Sequence, residues 1–155
     1  MKNRSLITVV ISRWVSPFIF LYGIYIILYG HISPGGGFPG GVILACSFIL
    51  ALLARGKNAA LKRLPYGLAK KLDASGALVF LSLALSGIFF TGVFFSNFLQ
   101  KLMPGKPLQL ISGGTILIIN IAIGVKICAS VFLIILFISV LRIRKDKEIQ
   151  TMEEN

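Results

Sequence analysis

The chain has 155 residues, 56% of them hydrophobic and 14% charged, with a formal net charge of +11. The charges cluster and leave long uncharged runs, which excludes an ordinary soluble fold and predicts a single all-α domain, residues 1–155, threaded through a membrane by four helices. Two cysteines and one histidine are too few for a metal set, so neither a metal nor a cofactor is expected.

The first apolar segment covers about 15–29 and can be extended back to Leu6. It is not read as a signal peptide, because no small-x-small cleavage site comes after it. Arg13 and Trp14 then mark the membrane boundary, with 6–12 as a short helical lead-in or a tilted extension past a snorkelling Arg13. The segment gives way to Gly30-His31-Ile32-Ser33-Pro34-Gly35-Gly36-Gly37-Phe38-Pro39-Gly40-Gly41. These twelve residues hold six glycines, two prolines and the only histidine, so no helix runs through their centre.

This loop admits three readings. A phosphate cradle fails, because the closing Lys-Ser/Thr and the preceding strand of a P-loop are both missing. A tight hairpin works, with Pro39 tolerated in the first turn of the next helix. The third adds an anion- or water-ordering nest of backbone amides, with His31 as a titratable neighbour. Phe38 stands at the mouth of the second span as a plug or an interfacial anchor.

The second span is placed at 38–54. The basic loop 55–73 comes next, with Leu61, Leu68 and Leu72 forming a short surface helix around Pro65. The third span is placed at 76–98, and Ser75, Ser82 and Ser86 line one of its faces at spacings of seven and four. Such a face meets other protein or, in the alternative reading, lines a hydrated proton path. The outer loop 96–114 carries Pro104, Pro107 and a Gly113-Gly114 pair, and has room for a re-entrant piece. The fourth span is placed at 116–141, with a polar, frayed tail after Lys145. Cys46 and Cys128 fall within spans, where they are small apolar packers.

Lys126 lies about ten residues into the fourth span, roughly 15 Å along the helix and near the bilayer midplane. An ionisable group at that depth costs about 2.5–3.5 kcal/mol on insertion scales, and usually faces a cavity or a partner. With every acid (Asp73, Asp146, Glu148, Glu153, Glu154) assigned outside the spans, the expected partner is water, the carbonyl of Ala122, or an acid on another subunit. Ala122, Ala129 and Ser130 surround the lysine at helical spacing, and Asn120 adds a polar group that could help hydrate it. The lysine either holds subunits in register or acts as a proton-relay or gating group.

Thirteen basic residues fall on the side of the chain termini, against Lys101 and Lys106 on the other, so both termini are expected in the cytoplasm. The basic excess therefore reflects topology and contact with anionic lipid, and nucleic-acid binding is excluded.

The pattern Gly-His-x-Ser-Pro-Gly-Gly-Gly-Phe-x-Gly-Gly between two spans resembles the B subunit of Mrp (also called Mnh) cation/proton antiporters. The same subunit type recurs in membrane-bound hydrogenases and related respiratory complexes. The resemblance extends to the four-span plan and to the stretch 120–126, and so covers most of the chain.

It implies a small non-catalytic subunit of a prokaryotic cell-membrane assembly, with large and small antiporter-like subunits as partners and sodium as the exchanged cation. In the hydrogenase-like case redox subunits would join them. It places weight on Pro34, Gly35, Gly36, Gly37, Phe38, Gly40, Gly41 and Lys126. Beside these, His31, Asn120, Ser82 and Ser86 stand as candidates for ion translocation or coupling.

A purely structural adaptor in a respiratory oxidoreductase is the alternative. A free-standing homodimeric exporter would need an acid inside a span, and a b-type haem subunit would need a second histidine.

Overall fold

A computed structural model describes residues 6–102 and 110–153 of the chain. Lys2, Arg4, Pro104, Lys106, Pro107 and Glu154 lie outside the described residues, so the proposed re-entrant piece of the outer loop is described only at its two ends. Every regular element among the described residues is helical: α1 (Leu6–Tyr29), α2 (Gly37–Arg55), α3 (Lys57–Arg63), α4 (Tyr66–Thr91), α5 (Phe98–Leu102) and α6 (Thr115–Glu153), with a 3-10 turn at Leu110–Gly113 before α6. Among the described residues, four helices are long and apolar enough to cross a membrane: α1, α2, α4 and the Thr115–Arg142 part of α6.

The helix ends obey local chemistry. Helix α1 runs unbroken through Pro17 from Leu6, so the stretch before Arg13 belongs to the same helix. It stops at Tyr29, whose carbonyl accepts bonds from the amides of Ile32 and Ser33, both at 2.9 Å, and from the Ser33 hydroxyl at 3.1 Å. Gly36 then takes a φ of 126°, open only to glycine without strain, and starts α2. Pro65 sits in extended backbone just before α4, where its missing amide costs nothing.

The third span departs from expectation at both ends. It starts ten residues earlier, at Tyr66, because nothing breaks the helix between Pro65 and Gly76. Leu68 and Leu72 therefore belong to α4, and only Leu61 lies in the short α3. The span ends at Thr91, where Gly92 turns left-handed at φ 72°. Phe95, at φ 63°, turns the chain back along α4. The returning strand of loop sits so close that a Cβ on Gly87 would meet the Ser96 amide at 2.8 Å. Thr91 and Ser96 share a hydroxyl–hydroxyl bond of 2.5 Å across the turn. The tail after Lys145 is not frayed: α6 continues as one helix to Glu153.

Helix α6 is the hub. It packs against α2 on one side and α4 on another, and α1 packs on the outside of α2. The spatial order is thus α1, α2, α6, α4. The core lies along the α2–α6 seam. Phe132 is fully buried among Leu52, Ala60, Leu64, Ala69 and Leu136 near the α3 end. Ile27, Leu44, Ala45 and Cys128 make a second cluster farther along. Cys128 packs as expected, whereas Cys46 faces outward. Long rows of exposed apolar side chains on α1 and α4, such as Phe18, Leu78, Leu81 and Phe89, fit contact with lipid or neighbouring protein.

Candidate functional site

The centre of the α4–α6 contact holds a closed triangle of polar side chains. Lys126 Nζ lies 3.1 Å from Asp73 Oδ1 and donates to Ser130 Oγ at 3.0 Å. The Ser130 hydroxyl in turn donates to Asp73 Oδ1 in a short contact. The expectation that no span carries an acid is therefore wrong. Asp73 is the eighth residue of α4, about 10 Å into the helix, because the helix starts at Tyr66 and not at Gly76. Lys126 needs neither water nor a foreign acid for its first partner.

Local packing sets this geometry. Helices α4 and α6 approach so closely at Gly76 that a Cβ there would meet Lys126 Cβ at 2.8 Å and the Ala122 carbonyl oxygen at 2.9 Å. The lysine cannot lie across that contact. Its chain runs instead toward its own i+4 neighbour, Ser130, one turn nearer the basic end of the bundle, where Asp73 waits one turn before Gly76. Ala69, Asp73, Gly76, Phe80, Ala84 and Gly87 succeed one another at steps of four and three, so they form one stripe of α4.

The pair is not sealed. The side chains of Lys126 and Asp73 are 39% and 36% exposed. Each borders a crevice between the helices. A cavity of about 510 Å³ reaches Asp73 past Tyr66, Lys70 and Phe137. A second, of about 250 Å³, reaches Lys126 past Gly76, Phe80 and Ile123. A charged pair at this depth, open on one side, needs water or protein to complete its solvation.

The other candidates are placed elsewhere. Asn120 does not reach toward Lys126. Its Oδ1 accepts the amide of Gly37 at 3.4 Å, on the α2 face of α6. The loop glycines make the same seam. A Cβ on Gly37 would collide with the Asn120 carbonyl oxygen and sit 2.8 Å from Ile123 Cβ. One on Gly41 would sit 2.7 Å from the Gly124 carbonyl oxygen, and one on Gly40 2.5 Å from Ile27 Cγ1. Gly36 and Gly37 are buried, while Pro34 and Gly35 are exposed at the turn. Phe38 is 62% exposed.

The His31 ring packs on the 3-10 turn, where a Cβ on Gly113 would lie 2.8 Å from His31 Cδ2. Gly113 is thirteen residues before Lys126, about 20 Å along the helix direction, so the two titratable candidates do not meet. Ser75 and Ser82 are exposed and Ser86 partly so; each bonds to a carbonyl three residues back in its own helix, at 3.2, 2.9 and 2.7 Å. The serine face is therefore not the face α4 turns to α6. The packed stripe runs instead through Gly76, Ala84 and Gly87.

Asn97 is a structural residue that the sequence reading missed. Its Oδ1 accepts the amide of Thr115, the first residue of α6, at 2.8 Å, and its Nδ2 donates to the Gly113 carbonyl at 3.1 Å. It caps α6 from a distant loop. An asparagine beside a helix start carries a capping signal only when it adjoins that start in sequence.

Comparison with known proteins places the chain in a family. Residues 7–133 match the family model described as a domain related to the MnhB subunit of Na+/H+ antiporters. The chain belongs to this MnhB family. Among its relatives is the uncharacterized protein MJ1307 of Methanocaldococcus jannaschii, 40% identical over 111 residues, covering 69% of this chain and 42% of that protein. Another is a Staphylococcus epidermidis protein, 37% identical over 90 residues, covering 58% of this chain and 63% of that protein; its name, mnhB2, is that of an antiporter subunit. A Staphylococcus aureus protein of the same name is 34% identical over 98 residues, covering 63% of this chain and 69% of that protein. The chain thus spans between under half and about two thirds of the length of these relatives. Both the MnhB match and the four apolar helices make it a multi-pass membrane protein of an antiporter-subunit family.

Proposed function

We propose that this chain is a small, non-catalytic subunit of a Na+/H+ antiporter module in a prokaryotic cell membrane, with Lys126, Asp73 and Ser130 as its proton-responsive element. The observation that carries this reading is the ion pair that the chain forms within itself between two candidate membrane spans and leaves more than a third exposed. Large and small Mrp-type subunits are the partners that would complete its solvation. Both termini face the cytoplasm, in line with thirteen of the sixteen basic residues at that end.

The chemistry comes from the triangle. While Lys126 is protonated, Asp73 balances it and the site is neutral. A proton leaving through the crevice exposes the carboxylate charge of Asp73 and makes the site attractive to a cation; a returning proton cancels that attraction. At an effective dielectric near 20, such a switch acts on a charge a few ångströms away with about 4 kcal/mol, enough to couple two ion movements. Ser130 bonds to both partners and can hold the triangle in place as the proton leaves.

The test is Lys126→Ala in the native assembly, read by sodium-driven proton movement in everted vesicles and by recovery of the intact particle. Loss of antiport with the particle intact supports the reading. A particle that falls apart makes the lysine an assembly residue, and unchanged transport refutes the proposal. Affinity purification in gentle detergent separates the two settings. Antiporter-like subunits alone identify a stand-alone exchanger, and co-purifying iron–sulfur or nickel subunits identify a redox-linked one.

A further inference from the structure

Three arginines converge at the end of the bundle where α2 runs into α3. Arg63, the last residue of α3, donates from Nη1 to Ser16 Oγ of α1 at 2.8 Å. Ser16 is almost fully buried and donates to the Ser47 carbonyl of α2 at 3.0 Å, so the guanidinium is pinned across the α1–α2 seam. Arg55, the last residue of α2, is half-buried, and its Nε is shut off from solvent without a hydrogen-bond partner. Arg13 lies one turn before Ser16 on α1, and the charges of both Arg63 and Arg13 bear on the Arg55 guanidinium. Among the side chains that the structure describes, the one ion pair is Lys126–Asp73.

Guanidiniums whose charges bear on one another repel, and such a group is relieved by an anion placed between them. We propose that Arg13, Arg55 and Arg63 bind the phosphate group of an anionic phospholipid. Guanidinium forks match phosphate oxygens in geometry, and the membrane boundary supplies such phosphates at high local concentration. The flank supports a lipid in preference to a free ion. Beside Arg13, Val10, Trp14 and Phe18 lie exposed on α1, the last two at 69%, and offer acyl chains an apolar bed next to the headgroup. This site is independent of the Lys126 triangle and of the cargo the assembly carries. It differs from general attraction of a basic loop to a charged surface because it uses three side chains on three elements, one of them locked by Ser16.

The experiment counts phosphatidylglycerol retained by the purified native assembly after extensive detergent exchange, by mass spectrometry of extracted lipid. Three forms are compared with the wild type: Arg55→Gln combined with Arg63→Gln, Arg13→Gln alone, and Lys71→Gln as a control for surface charge. Arg13 is exposed, so its replacement spares the fold and keeps the proposal testable should the double variant fail to assemble. The double variant is expected to retain phosphatidylglycerol about tenfold less well, Arg13→Gln severalfold less, and Lys71→Gln as well as the wild type. Phosphatidylcholine is not expected to replace the lost lipid, nor excess inorganic phosphate to displace the bound one. Equal retention in all forms overturns the proposal, as does equal loss in Lys71→Gln. Displacement by inorganic phosphate also overturns it and makes the site an ion site. A wild-type assembly without retained anionic lipid, in which a partner carboxylate fills the place, overturns it too.

Discussion

Replacing Asp73 with Asn tests the triangle most directly, because it removes one charge and almost no volume. At the observed 3.1 Å, Lys126 and Asp73 attract each other by about 5 kcal/mol at an effective dielectric of 20. Both side chains are more than a third exposed, and water in the crevice screens part of that, leaving a net coupling of about 2–3 kcal/mol. The variant also strands an ammonium at membrane depth, which on insertion scales costs about 2.5–3.5 kcal/mol.

Asp73→Asn and Lys126→Gln are therefore each expected to destabilise the subunit by about 2–3 kcal/mol, whereas the neutral double variant costs less than about 1 kcal/mol. The assay is unfolding of the purified assembly, measured for the wild type, both single variants and the double variant, and read as a double-mutant cycle. Additive losses, with a coupling below about 0.5 kcal/mol, would refute the ion pair as a stabilising contact. The same four forms in vesicles separate stability from transport. A double variant with restored stability and full antiport would leave the pair as a purely structural register device and end the proton-coupling argument.

The loop glycines and Asn97 give two further expectations. Gly37→Ala and Gly41→Ala each force a Cβ into the backbone of α6 and are expected to lower stability by about 2 kcal/mol or more, as overpacking at a close helix contact does. Gly67→Ala in α4 meets nothing within 4 Å and is expected to be neutral or to stabilise by about 0.5–1 kcal/mol through helix propensity; thermal unfolding of the three variants side by side checks the contrast. Asn97→Ala removes two bonds at the start of α6 and is expected to cost about 1–2 kcal/mol, with faster hydrogen exchange at Thr115 and the next turn.

Much of the fold was readable because a membrane helix writes its length in apolar residues. The second and fourth spans and the Gly/Pro break fell within a few residues of their observed places, and the first took the longer of its two readings, back to Leu6. The third failed at its start because Lys70, Lys71 and Asp73 looked like loop. Charge alone does not end a helix: nothing between Gly67 and Gly76 breaks one, and Lys70 bends its ammonium over the Tyr66 ring, 5.5 Å from the centroid. That one misplacement hid the partner of Lys126, because an acid assigned to a loop cannot pair with a mid-span lysine. The end of the span failed for another reason. Val93, Phe94 and Phe95 are as apolar as a helix interior, and only Gly92 signals that the chain turns there. The serine stripe shows the remaining blind spot. Spacing gives the faces of a helix, but not which face meets a neighbour.

The two features most prominent in the sequence, the glycine loop and the lysine, sit on different faces of one helix. The loop seam touches α6 at Asn120, Ile123, Gly124 and Ile127, while the α4 seam touches it at Ala122 and Lys126, with Ser130 bonded to Asp73. At 100° per residue the two sets of contacts centre about 110° apart around the helix, so the seams lie on neighbouring faces, and Ile123 borders both the loop glycines and the cavity at Lys126. No side chain of the loop motif therefore needs to contact the ion pair for the two to be coupled. A change in how α2 seats on Gly124 would move α6 as a rigid body, and with it the approach of Lys126 to Asp73. Close glycine contacts suit this role because they leave no compressible side chain between the two backbones. In this arrangement, a loop substitution that loosens the α2 seam should alter the crevice around Lys126 without touching it. Cysteine-reactive probes at Ala77, on the wall of the 250 Å³ cavity, would register that change. Unchanged labelling of Ala77→Cys in the Gly41→Ala background would show that the two faces of α6 act independently.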